Sequence, residues 1–158
     1  MIMQNLEKVF ESVCCGTAMM TKVSQAIVAA YEATEFRVLE PLPFTLRVGC
    51  ASEDLLALYT STCVNCAAFL TAWYPYSLEI SDKDNKKSQE ALLRYLSLEG
   101  YPTLNALGVD PTGTWPGEES LFVPGLSLER AKAIGADFGQ NAIVWVGDDA
   151  VPQLILLV

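Results

Sequence analysis

Residues 138–145 read FGQNAIVW. A helical pattern ends at Phe138, Gly139 punctuates it, and an apolar run of strand length begins at Ala142. Two adjacent amides, Gln140 and Asn141, stand between them. A helix passed directly into a strand is what helices packed on a sheet look like, and the chain is read outward from this junction.

Upstream, Ser127 is the expected N-cap of the helix that ends near Phe138. Downstream, Gly147, Asp148 and Asp149 make a turn into a last strand over residues 153–157. Residues 66–73 are nearly unbroken apolar and short, which predicts a central strand buried on both faces. Ser81 begins the clearest helix, with Asp84 in capping-box position and Gly100 just past its end. Residues 101–109 read as extended, 110–117 (DPTGTWPG) as a turn-rich loop, and 121–123 as a short strand. Two alternating runs, 36–40 and 44–48, flank Pro41 and Pro43 as a hairpin, and Ser52 caps a short helix carrying Leu55, Leu56 and Leu58. Helical spacing over residues 2–13 and 22–33 predicts an N-terminal helical arm. The expectation is one α+β domain over 1–158: a single mixed β-sheet flanked by helices, with the arm at 1–33 and the sheet-containing body at 34–158.

Composition narrows the function. Half of the 158 residues are hydrophobic and the formal net charge is −9. Such a chain buries a core without staples, and its charge repels a phosphate backbone, so no nucleic acid is expected as partner. No run approaches the roughly 20 apolar residues of a membrane span. Glu7, Lys8 and Glu11 break any leader-like apolar core, so a soluble cytoplasmic protein is expected. Histidine is absent altogether. That removes Ser-His-Asp and Cys-His catalysis and histidine metal ligation. Five cysteines in irregular spacing fit a reducing compartment. Cys63 and Cys66 form a CxxC without a second pair and lead into a strand. They read as small buried thiols, with no metal and no cofactor expected.

Three groups of residues are candidates for a site. On the helix from Ser81, Asn85 and Gln89 share one stripe with Leu92 and Leu96, so two amides face the sheet. The 110–119 stretch gathers Asp110, Trp115, Glu118 and Glu119. The junction supplies Gln140 and Asn141. If strands 66–73 and 142–146 run antiparallel, these amides approach one another. One polar pocket of Asn85, Gln89, Glu118 and Asn141, with Trp115 on its rim, is then expected. A buried amide network that only pins the helix to the sheet is the competing reading.

The runs AAFLTAWYPYS (67–77), Asn85 with Gln89, GVDPTGTWPGEES (108–120) and FGQNAIVW together resemble a bacterial family, domain of unknown function family 3293, over about residues 28–158. Tyr74 departs from the asparagine of that family's TAWNP form. The resemblance implies no activity, substrate or cofactor.

Acids, amides and an indole make up the marked residues, with no lysine or arginine among them. A small binding or regulatory module for a protein or polar small molecule is therefore favoured. The alternative is a carboxylate-dependent hydrolase or transferase, which lacks the cation that stabilises developing negative charge. The apolar stripes of the arm point toward a homodimer.

Overall fold

The computed structural model describes residues 25–113 and 116–158. Their elements are α1 (Gln25–Ala33), β1 (Glu35–Val38), β2 (Phe44–Leu46), α2 (Glu53–Thr62), β3 (Ala67–Leu70), α3 (Asp82–Leu98), β4 (Leu104–Val109), β5 (Glu118–Pro124), α4 (Leu128–Asp137), β6 (Ala142–Val146) and β7 (Pro152–Leu156). The helix expected over residues 2–13, and Trp115, lie outside the described residues.

Local chemistry explains the helix starts. The hydroxyls of Ser52, Ser81 and Ser127 accept from the backbone N–H three residues on, at Leu55, Asp84 and Arg130. Ser81 also donates its hydroxyl to the Asp84 carboxylate at 2.7 Å. Each cap satisfies a donor that the first helical turn cannot.

The strands form one sheet in the order β2-β1-β4-β5-β3-β6-β7. The α+β class holds, but the sheet expected to be mixed is antiparallel at every neighbouring pair. The strand expected at 121–123 is also longer. It runs from Glu118, so Glu118 and Glu119 belong to the ladder rather than the loop.

The sheet is curled. One core takes side chains from every strand: Phe36, Val38, Leu46, Phe69, Ala106, Phe122, Val144 and Val146, joined by Leu154 of β7 and by Leu55 and Tyr59 of α2. Only the inner side of a curl can gather all seven strands in this way. At the seam, Gly49 N–H beyond β2 donates to Pro152 O of β7 at 2.9 Å, and Ser52 N–H to Ala150 O at 3.1 Å. The second core lies on the outer face. It joins Ala68, Leu70, Leu121, Val123 and Ile143 to Leu92 and Leu96 of α3 and to Ala131 and Ile134 of α4. No residue of β1, β2 or β4 belongs to it, and among the described residues no helix packs on that half of the outer face.

Strand β3 feeds both cores, and all four of its residues are buried. Helix α4 approaches β6 closely because Gly135 has no side chain. A Cβ there would stand 2.7 Å from Ile143 Cγ2 and 2.8 Å from Leu157 Cδ1. Gly135→Ala is expected to cost about 1–3 kcal/mol of unfolding free energy through overpacking. Urea denaturation measures it, and an unchanged midpoint would contradict this close approach.

Candidate functional site

After Leu70 the chain leaves the ladder while still lying between two packed faces. Its backbone donors and acceptors there need partners that a strand neighbour no longer supplies. Side-chain amides provide them. Ala72 N–H donates to Gln89 Oε1 at 2.8 Å, and Tyr74 N–H to Asn85 Oδ1 at 2.8 Å. Gln140 Nε2 donates to Trp73 O at 3.1 Å and to Phe138 O at 3.4 Å. Tyr76 N–H donates to Gly139 O at 2.7 Å. Thr71 adds its hydroxyl, donating to Glu119 O and accepting from Trp73 N–H.

This cage holds an unusual backbone. Tyr74 (φ 49°) and Tyr76 (φ 57°) are both left-handed, a conformation that costs a side-chain-bearing residue roughly 1–2 kcal/mol. Asparagine tolerates that region better than tyrosine. The TAWNP form thus has a backbone reason for its asparagine at the position of Tyr74. Here Tyr74 is buried instead, edge-on to Trp73 with ring centroids 5.8 Å apart, and burial pushes its phenol above the ordinary range. Gly139 (φ +70°) lets the α4–β6 junction lie against this turn. A Cβ would come within 3.0 Å of Pro75 Cβ.

The sequence-derived residues therefore separate. Asn85, Gln89 and Gln140 come together, around residues 72–76, and much of their bonding capacity goes to backbone. Asn85 Nδ2 reaches Ile80 O at 3.5 Å. Asn141 is half-buried and its backbone carbonyl accepts from Leu157 N–H at 2.8 Å. Asp110 closes its own turn, accepting from Thr112 N–H (2.9 Å) and from the Thr112 hydroxyl (2.7 Å).

Glu118 and Gln89 lie on opposite sides of β5, so the single expected pocket becomes two hollows. Glu118 alternates with Ser120 and Phe122 on the inner face. It lines a small cavity of about 40 Å³ with Tyr31, Phe36, Phe69, Thr71, Ser120 and Gln140. Burial, and then the Glu118 carboxylate, push the Tyr31 phenol up, so it stays protonated at neutral pH. Gln89 lines the other hollow, a groove of about 540 Å³ between α3 and the outer face of β4 and β5. Its walls include Leu39, Leu93, Leu107, Lys86, Glu90 and Glu119. Leu39 and Leu93 are 38% and 42% exposed. Gln89 Nε2 is buried and has no hydrogen-bond partner.

Beyond Gln89 and Glu119, sequence reasoning missed the groove residues. A signal existed: Lys86, Glu90 and Leu93 follow at i, i+4 and i+7 on α3, and Asn105 and Leu107 alternate against buried Ala106 and Gly108. It missed Tyr31, Thr71 and Ser120 as well, which only the curl brings to Glu118.

Residues 70–143 match the profile of a family described as Protein of unknown function (DUF3293). That segment carries the caged turn, α3 and the Glu118 strand. No curated protein matches the chain, and no solved structure does. Among the described residues no helix is long and apolar enough to cross a membrane, and no three His, Cys, Asp or Glu side chains gather to hold a metal.

The expectation of buried thiols needs correction. Cys63 is exposed at the C-cap of α2, where its N–H bonds Tyr59 O, and Cys66 is half-buried. Burial pushes the Cys66 thiol up, which leaves less thiolate at a given pH. Iodoacetamide in mildly alkaline buffer is expected to modify Cys50 and Cys63 before Cys66, as read by peptide mass spectrometry. Equal rates would contradict the burial of Cys66.

The cage is tested separately. Asn85→Ala strands the buried Tyr74 N–H and is expected to lose about 1–3 kcal/mol of stability. Exposed Lys83→Ala should stay within about 0.5 kcal/mol of the parent. Equal effects from both variants would mean that the Tyr74 N–H finds another acceptor.

Proposed function

We propose that the chain is a small binding module, recognising a protein segment or a polar small molecule in the groove beside α3. One observation carries this reading: a ligand-sized hollow beside α3, on the half of the outer sheet face that no helix of the described residues covers. Its volume lies within the roughly 300–1,000 Å³ of typical ligand clefts. Exposed leucines along it, with a few amide and charged groups, supply apolar contact and orientation together. Of the residues marked from sequence, Gln89 is the ligand-facing member. Asn85 and Gln140 brace the turn over residues 72–76 that Gln89 also bonds, while Asn141 and Asp110 stand apart from the groove lining.

A carboxylate-dependent hydrolase or transferase is the second reading. Glu118 favours it, a buried carboxylate beside the hydroxyl-bearing Thr71, Ser120 and Tyr31. An acid–base pair needs a second carboxylate, and Glu118 is the one acid in that cavity's described lining. The proposal takes a bacterial cytoplasmic setting, an N-terminal helical arm over 1–33 and a homodimer as its context.

Native mass spectrometry of the freshly purified chain is expected to show a co-purifying molecule. Leu93→Arg is expected to remove it while changing stability by no more than about 0.5 kcal/mol. Retention of the same added mass by the variant would move the recognition surface elsewhere.

A further inference from the structure

We infer that the groove beside α3 takes a neutral carboxamide carrying a branched apolar group, its carbonyl oxygen accepting from Gln89 Nε2. The inference rests on the groove being the recognition surface and adds the chemistry of what it recognises. Gln89 is 7% exposed. The orientation of its amide is fixed by its neighbour, because Ala72 N–H can only donate and so demands the oxygen. The NH₂ group is left over. Asn85 and Gln140, the other two amides of the cage, each place their NH₂ on a carbonyl, at Ile80 and at Trp73. Gln89 does not, and its Nε2 is a buried donor without an acceptor. A groove wall holding such a donor favours a ligand that brings an acceptor.

The remaining lining narrows the class. Glu90 and Glu119 stand against the single cation Lys86, so the described groove walls are net negative and disfavour a free carboxylate. The same two carboxylates accept hydrogen bonds, which suits a ligand that also has an N–H. Leu39, Leu93 and Leu107 provide the apolar seat. An acceptor, a donor, no net charge and a branched hydrocarbon together describe an amide bond beside an aliphatic side chain. A peptide segment and a free small amide share that chemistry.

The test is a heteronuclear NMR titration of the full ¹⁵N-labelled chain. The probes are N-acetyl-L-leucinamide, a capped tetrapeptide containing leucine, and isovalerate as the anionic counterpart. Both amides are expected to shift the Gln89 side-chain NH₂ pair and the Leu93 and Leu107 backbone resonances saturably. Isovalerate should bind at least about tenfold more weakly. A tetrapeptide that binds more tightly than the single-residue amide points to a peptide source, and equal affinity to a small molecule. Gln89→Glu keeps an oxygen for Ala72 N–H but removes the NH₂, and should weaken amide binding about tenfold. Leu93→Arg, at an exposed position, should abolish it. Groove shifts that leave the Gln89 NH₂ pair unmoved, or isovalerate binding as well as the amides, would overturn the carboxamide assignment while keeping the groove. No shift along the groove with any probe would remove the groove reading itself.

Discussion

Strand β3 has both faces buried, and its exit has to be satisfied without water. Ala67 and Phe69 belong to the inner core, and Ala68 and Leu70 to the outer one. When the ladder stops at Leu70, the next backbone groups are still enclosed. Unpaired, each would cost about 1–3 kcal/mol. The protein meets them with Gln89, Asn85 and Gln140, drawn from two regions far apart in sequence. Gln140 comes from the junction at the start of β6, the antiparallel neighbour of β3, which register sets level with the exit of β3.

Those bonds also decide where α3 sits. Asn85 and Gln89 tie its first turns to residues 72 and 74, while Leu92 and Leu96 seat its second half on the outer core. The helix is thereby held over β3 and β5. The strands beyond, β4, β1 and β2, have an outer face that no helix among the described residues covers, polar in part. There Glu35 pairs with Arg37 and Arg47, which hold its carboxyl below the usual range. The groove is the step between a helix fixed by its amides and the outer face of β4 beside it.

Sequence made the local decisions legible. Ser52, Ser81 and Ser127 cap as their spacing predicts, and β3, the hairpin and the junction at Gly139 lie where the apolar periods place them. The amide stripe on α3 was legible too, because helical spacing carries Asn85 and Gln89 onto the face of Leu92 and Leu96. What those amides bond was not, since their partners are backbone groups whose exposure depends on how the strand ends. Strand order and direction are set by long-range pairing, so the mixed sheet gave way to an antiparallel one. The start of β5 was hidden by Pro116, Gly117 and two charged residues, which look like loop although alternation buries Glu118. The groove was hardest of all, because its walls come from α3, β4, β5 and Leu39, which only tertiary packing brings side by side.

The placement of β3 has a consequence for how the chain reaches this state. Its neighbours are β5 and β6, so Phe69 pairs with Phe122 and with Val144. On a growing chain this strand is made before either partner, and its second partner comes only with residues 142–146. Contacts this distant in sequence close slowly, because loop entropy is lost before pairing returns anything. Until residues 142–146 arrive, β3 presents an unpaired ladder edge and an unfinished core, the kind of surface that invites association with other chains.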